Sequence, residues 1–399
     1  MTVASWAAVA AAGAAAAGST QQRGAGVDLE APAAGGSEIE LMTLFDAWNH
    51  KYGRRYAAGE EGSTEKLKRF SIFKDTLAFI EAHNSDKSNG HTVSLNEFAD
   101  LTIEEFREMG YVQARIFPGN RTALEVEADQ ARALRAQSQS QLAQYDDTAS
   151  HVLRDSLPDF VDWRQHGVVT PAFTQGVNCD SCWAVAAVGA VESLYAINTG
   201  SLLRASVEQV VSCSAYNGCS GGWPSRAFDW IQRNGLALEI DYPYTSGVTG
   251  KPGRCRNPQT PVIMQISGHQ AVKWHDEQAL MEAVARQPVA VAMQCFTKEF
   301  ALYKTGVITG KDCSPLTLDH AMLMVGYGTD ADGVAYWLIQ NSWGPSWGED
   351  GYVRVQRGIS LPFGVCNILS RNNEYPIMPA LAPLSITLRD NSSQSLIDA

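Results

Sequence analysis

Between Glu65 and Asn84 the apolar residues Phe70, Phe73, Leu77 and Ile80 recur at spacings of three and four. That rhythm lays them along one stripe of an amphipathic helix. A polar set, Glu65, Arg69 and Asn84, recurs at multiples of the same turn, and residues 40–110 read as a small helical unit. Over 111–156 the rhythm is lost. Ala, Gln, Arg and Ser dominate, as in Ala133-Leu-Arg-Ala-Gln-Ser-Gln-Ser-Gln-Leu142, and such a coreless stretch predicts a mobile or partly helical connector open to proteolysis.

From Leu157 onward Trp, Tyr, Gly and Cys become frequent. Cys182 to Gly200 predicts a helix whose Ala184, Ala186, Ala187 and Ala190 permit close packing and whose end is marked by Gly200. Ser206-Val-Glu-Gln209 has the pattern of a capping box opening a second helix. Pro224 to Asn234 reads as a third, ended by Gly235. Later segments alternate or run apolar like strands: Val289–Met293, Met322–Val325, Tyr336–Ile339 and Tyr352–Gln356. Helices first and strands second is an α+β order. Residues 379–399 are polar with little pattern and predict a disordered tail.

Composition narrows this picture. A chain of 399 residues with 45% hydrophobic content has room for two or more packed units. A formal net charge of -12 argues against nucleic acid as a partner. Residues 1–18 are mostly Ala with small residues toward the end, which fits either a secretory signal peptide or a low-complexity leader; the absence of Lys or Arg weakens the first reading. No uninterrupted apolar stretch elsewhere reaches membrane-spanning length. All 8 cysteines lie at or beyond Cys179, as expected of a unit built for an oxidising compartment. Cys179-x-x-Cys182 alone is half a zinc site or a redox pair. Zinc needs a second close pair, and Cys213 and Cys219 are too widely spaced, so neither metal nor cofactor is expected.

The candidate chemistry lies in three places. Cys182 sits in Gln175-Gly-Val-Asn-Cys-Asp-Ser-Cys-Trp183, His320 in Leu318-Asp-His-Ala321 and Asn341 in Gln340-Asn-Ser-Trp-Gly344. A thiol, an imidazole and an amide in that order supply a nucleophile, a base and a group that orients the base. Cys182 opens a predicted helix, so its sulfur would sit at the positive end of the helix dipole, which favours a thiolate.

These motifs resemble the papain-like cysteine proteases, in the cathepsin L-like branch, and the similarity extends over most of the chain. Leu157-Pro-Asp-Phe-Val-Asp-Trp-Arg164 looks like the start of the mature enzyme, and Trp343 and Trp347 match the family's tryptophan-rich segment. The resemblance implies a two-lobed α+β protease, with a helical left lobe and a β-barrel-like right lobe, preceded by a small helical inhibitory prodomain. It implies the inhibitory propeptide at 40–110, a linker at 111–156 and the peptidase at 157–378, beside the possible signal peptide at 1–18. His320 would protonate the leaving amine and later activate water. Asn341 would hold the imidazole, Trp343 would cover that contact, and Gln175 would donate to the oxyanion beside the backbone N–H of Cys182. The implied disulfides are Cys179 with Cys219, Cys213 with Cys255, and Cys313 with Cys366, leaving Cys295 as a buried or cleft-edge thiol.

The resemblance also places Gly221, Gly222, Trp223, Pro224, Ala292, Leu318 and Ala321 along the substrate cleft and its P2 pocket. The pocket floor falls on Arg371 counting forward from Cys366, or on Asn372 counting back from Tyr375. Glu65, Arg69, Phe73, Ile80 and Asn84, followed by Asn96-x-Phe98-x-Asp100, match the propeptide motifs, with Thr76 and Ser94 where Asn and Gly are usual. Asp180 stands where the family has Gly, and Gln175 and Cys182 are one residue further apart. No insertion like the occluding loop of exopeptidase relatives is present. The implied whole is a monomeric endopeptidase zymogen of the secretory pathway, destined for a lysosome- or vacuole-like compartment or the exterior. Its partners would be protein or peptide substrates and its own propeptide, with no membrane. Protonation of propeptide carboxylates such as Asp100 is expected to loosen the inhibitory unit. Asp180 is expected either to disfavour the Cys182 thiolate or to turn outward into water.

Overall fold

A computed structural model describes residues 36–57, 59–110, 157–256, 260–311, 313, 317–361 and 363–378. The leader at 1–18, the connector at 111–156 and the tail at 379–399 lie outside the described residues.

The N-terminal unit is held by helices α1 (Glu38–Lys51) and α2 (Glu60–Ser85). Ser37 and Glu40 close a capping box at the start of α1. Phe70, Phe73 and Leu77 on α2 pack on Leu41, Leu44, Phe45 and Trp48 on α1, forming the unit's own core. Ile80, at the end of the same stripe, turns instead to Val93 and to Leu302 of the peptidase. Arg69 is buried, and its fork is filled: Nε donates to Glu65 at 2.6 Å, and Nη1 donates to Glu105 at 2.6 Å and to the Asp100 carbonyl at 3.0 Å. Asn84 grips Val93 of strand β1 (His91–Val93) by both its backbone groups. Helix α3 (Ile103–Glu108) follows, with a capping box between Thr102 and Glu105.

The second unit begins with strand β2 (Val161–Asp162) and a helical half: α4 (Cys182–Thr199), α5 (Val207–Cys213) and α6 (Pro224–Asn234). Ser206 accepts from Gln209 N–H at 3.0 Å. Half of the expected capping box is therefore made. The Ser206 N–H goes to Ala237 O and the Gln209 side-chain Oε1 accepts from Ala237 N–H, so both residues tie the helix start to a neighbouring loop. The strands β3 (Gly268–Ala271), β4 (Val289–Met293), β5 (Tyr303–Ile308), β6 (His320–Thr329), β7 (Ala335–Gln340), β8 (Tyr352–Gln356) and β9 (Glu374–Ile377) join one sheet. Its order is β1-β5-β8-β7-β6-β4-β9-β3, with β2 paired to β6. The path does not close on itself, and the propeptide's β1 forms one of its edges, antiparallel to β5.

Strand β6 is buried on both faces until its last residue. Met322 and Met324 enter the core of the strand half, whereas Ala321, Leu323 and Val325 enter the core of the helical half. The two-residue side-chain period thus makes β6 the wall between the lobes. Its first residue, His320, lies at their seam. Among the described residues, no helix is long and apolar enough to cross a membrane.

Candidate active site

Cys182 is the first residue of α4 and is buried. The residue before it, Ser181, gives the helix no side-chain cap. Its hydroxyl pairs instead with Tyr244 Oη at 2.6 Å, and Tyr244 Oη donates to the Gln175 carbonyl at 2.9 Å. No side-chain oxygen of Ser181 thus offsets the positive end of the helix dipole beside the thiol. Gly222 approaches the indole of Trp183 so closely that a Cβ would stand 2.8 Å from it, which explains glycine at this point of the cleft wall.

His320 Nε2 lies 2.7 Å from Asn341 Oδ1, and the Ser342 N–H donates to the same oxygen at 2.7 Å. An atom that receives a backbone N–H is the amide oxygen, so Nε2 must carry the ring proton. Nδ1 is then the basic nitrogen. It is buried and has no hydrogen-bond partner among the described residues. The Trp343 ring lies over the imidazole at 5.0 Å. Burial pulls the His320 pKa down to about 4, against the opposing pull of Asn341.

Gln175 is fixed by Ser342 at two points: its N–H donates to the Ser342 carbonyl at 2.9 Å and its Oε1 accepts from the Ser342 hydroxyl at 2.6 Å. That leaves Nε2 directed at the Gly110 carbonyl, 2.8 Å away, with a longer contact to the Cys179 carbonyl at 3.4 Å. Gly110 belongs to the N-terminal unit. The same unit covers Trp343, against which Phe106 and Phe98 stand edge-on at 5.2 and 5.8 Å. Further ties cross the boundary: Asn96 Nδ2 to the Ala301 carbonyl at 2.8 Å, Ser94 N–H to the Leu302 carbonyl at 2.9 Å, and Lys311 to Asp86 at 3.2 Å.

Two expectations are corrected here. Asp100 is buried, and loss of water raises its pKa despite Arg54 at 3.0 Å. A carboxyl raised in the closed form favours closure as pH falls, so Asp100 does not loosen the unit in acid. The opposite sign belongs to Glu105 and Asp86, both held ionised down to about 2; Glu105 does so through Lys68 and Arg69 against its own desolvation, Asp86 chiefly through Ser88 and also Lys311. Their stabilisation is present above the usual carboxylate range and is lost as pH falls toward about 2. Asp180 has not turned outward. Its Oδ1 is buried beneath Gly110 without a partner, and desolvation raises the carboxyl to about 7.

The residues assigned to the cleft are distributed as follows. Gly221 has φ +81°, Trp223 is the N-cap of α6 and Pro224 its first residue. Ala292 and Ala321 face each other in register across β4 and β6, and both are buried, as is Leu318. Arg371 is exposed, its guanidinium 4.7 Å from the Trp274 ring centroid. Asn372 has φ +77°. The side chain that reaches Ala292 is Asn373, whose Oδ1 accepts the Ala292 N–H at 3.2 Å. Asn373 was not singled out from sequence, and neither were Ser342 and Asp319. Asp319 accepts from the Cys295 and Phe296 N–H groups at 2.7 and 3.3 Å, beside His320. Ser342 and Asp319 carried a signal, their places in the Asn-Ser-Trp and Leu-Asp-His runs, and Asn373 carried none.

Disulfides join Cys179 to Cys219, Cys213 to Cys255 and Cys313 to Cys366. Cys182 and Cys295 are free and buried, and burial chiefly pushes the Cys295 thiol well above its ordinary range, which makes it inert. Among the described residues no group of His, Cys, Asp and Glu is arranged to hold a metal ion.

Comparison with known proteins gives two domain matches: papain family cysteine protease over residues 157–376 and cathepsin propeptide inhibitor domain (I29) over residues 45–106. The sequence is 40% identical over 336 residues to probable cysteine protease RDL2 of Arabidopsis thaliana, covering 83% of this chain and 84% of that protein. It is 35% identical over 358 residues to fruit bromelain of Ananas comosus, covering 90% and 89%. The fold is similar to a recombinant stem bromelain precursor with a TM-score of 0.71 at 34% identity, over 85% of this chain and 99% of that one.

Proposed function

The chain belongs to the papain family of cysteine proteases and carries a cathepsin-type propeptide inhibitor domain, and from that premise we propose an endopeptidase that works through Cys182, His320 and Asn341. The Cys182 thiol gives its proton to His320 Nδ1, and the thiolate attacks the peptide carbonyl. The resulting oxyanion accepts hydrogen bonds from Gln175 Nε2 and the Cys182 N–H. Collapse expels the amine, protonated by His320, and leaves a thioester on Cys182. His320 then activates the water that hydrolyses it. Asn341 positions the ring and does no proton transfer. The observation that carries this reading is the double donation to Asn341 Oδ1, from His320 Nε2 and Ser342 N–H, which leaves Nδ1 as the base.

In the zymogen the Gly110 carbonyl takes the donor that the oxyanion needs, and Phe98 and Phe106 roof the tryptophan above the base. The proposed division is a propeptide at 40–110, a linker at 111–156 where cleavage occurs, and a peptidase at 157–378. The proposed setting is the secretory pathway, with protein or peptide substrates and a monomeric enzyme. Acid incubation followed by a fluorogenic dipeptide assay tests this. Activity should appear together with a shortened chain beginning near residues 145–157, and Cys182→Ala should fold normally without turnover. Full-length protein equally active at neutral and acid pH would contradict the zymogen, and turnover by Cys182→Ala would contradict the mechanism.

A further inference from the structure

Gly110 places its carbonyl on Gln175 Nε2, 2.8 Å away, at the position where the reading above puts the scissile carbonyl. A Cβ added to Gly110 would stand 2.7 Å from Asp180 Oδ1 and 3.3 Å from the Cys179 nitrogen. The Asp180 carboxyl therefore borders the residue that presents its carbonyl to Gln175. That carboxylate is hidden by the propeptide, and among the described residues nothing donates a hydrogen bond to Oδ1. Its backbone is fixed: the Asp180 N–H donates to the Cys219 carbonyl at 3.1 Å, and the preceding Cys179 is bonded to Cys219. Removal of the propeptide turns this carboxyl toward the cleft and lets it ionise, where a cation delivered by a ligand can pair with it.

We infer that Asp180 is a specificity-determining residue of the substrate cleft, selecting Lys or Arg at the position whose carbonyl is attacked. This rests on the assignment of Gln175 and Cys182 to the scissile carbonyl. The propeptide meets the same wall with glycine, the residue that presents no side chain to it.

The test uses two peptides identical except for Arg or citrulline at that position, which differ in charge and hardly in shape. The processed enzyme should cleave the Arg peptide with about tenfold higher kcat/KM. In Asp180→Asn, and equally in Asp180→Gly, the ratio should fall to about one while cleavage of the citrulline peptide is kept. An Arg-to-citrulline ratio that is the same in wild type and both variants overturns the inference. Binding of the two peptides to Cys182→Ala protein, cut in the 111–156 segment by an unrelated added protease, separates this failure from failure of the catalytic reading. An Asp180-dependent affinity ratio without wild-type turnover would sink the mechanism and keep the pocket, whereas equal affinities for the two peptides would sink the pocket.

Discussion

Replacing Gly110 by Ala should open the zymogen without touching the catalytic groups. Gly110 has φ +72°, a conformation that costs an L-residue roughly 1–2 kcal/mol relative to glycine. The new methyl would also sit 2.7 Å from Asp180 Oδ1 and 3.3 Å from the Cys179 nitrogen. The carboxylate can swing aside, but the Cys179 backbone is anchored by its disulfide, so the propeptide must retreat. Retreat lengthens the 2.8 Å hydrogen bond from Gln175 Nε2 to the Gly110 carbonyl, at a loss of about 1 kcal/mol. The sum, about 2–3 kcal/mol, corresponds to a roughly 30- to 150-fold rise in the open fraction. The assay is the rate at which a peptidyl epoxide alkylates Cys182 in full-length protein at neutral pH. Gly110→Ala should label faster by that factor, and Asp180→Gly in the same chain should recover only the part due to the carboxylate. Labelling of Gly110→Ala at the wild-type rate would refute the idea that this close approach holds the cleft shut.

The remaining expectations concern pH, the base and the propeptide. Burial holds His320 neutral down to about 4 in the closed form, so exposure of the ring on opening makes its protonation favour the open form as pH falls below the ordinary imidazole range. Asp180, raised to about 7 in the closed form, acts with the opposite sign and favours closure as pH falls below about 7. Hydrogen exchange of the β1 amides in the Cys182→Ala chain should therefore show steeper acid opening with Asp180→Asn and a flatter profile with His320→Gln. Asn341→Ala should lower kcat by roughly 10²-fold, with Cys182 still alkylated, since it orients the base and does no chemistry; a loss as complete as in Cys182→Ala would contradict that division of roles. Glu105→Gln removes one of the two carboxylates paired with buried Arg69 and should destabilise the propeptide unit by about 1–3 kcal/mol, read as a lower urea midpoint and faster neutral labelling. An unchanged midpoint would contradict the importance of that pair.

Elements with one buried stripe or a strong end signal were legible in the sequence. The α2 helix shows a local rhythm, and the Ala-lined α4 ended by Gly200 and α6 between Pro224 and Gly235 carry end signals. The run Met322–Val325 marked a strand but not that its faces serve two different cores, because a strand buried on both sides shows no alternation. The Ser206 and Gln209 pair illustrates the limit of a local motif. Half of the box forms, and Gln209 finds Ala237, distant in sequence. Each member of the proposed triad sits in a distinctive run, and Ser342 and Asp319 stand in two of those runs. Asn373 had no such context, and the contacts of Asn373 and Asp319 depend on strand register and on two N–H groups supplied by a separate loop. The signs of the acid-sensitive carboxyls were not legible either. Asp100 and Glu105 are both acidic residues of one short segment, and the folded environment decides the sign: desolvation wins at Asp100, whereas hydrogen bonds from Lys68 and Arg69 outweigh it at Glu105.

The most direct measurement is mass-spectrometric mapping of a thiol-reactive epoxide peptide on full-length and acid-processed protein. The expected result is a single adduct on Cys182 after processing, little in the intact zymogen, and none on Cys295 in either form, whose buried thiol is held protonated. Equal labelling of Cys182 in both forms would contradict an inhibitory propeptide lying over the cleft, and an adduct on Cys295 in place of Cys182 would contradict the assignment of the nucleophile.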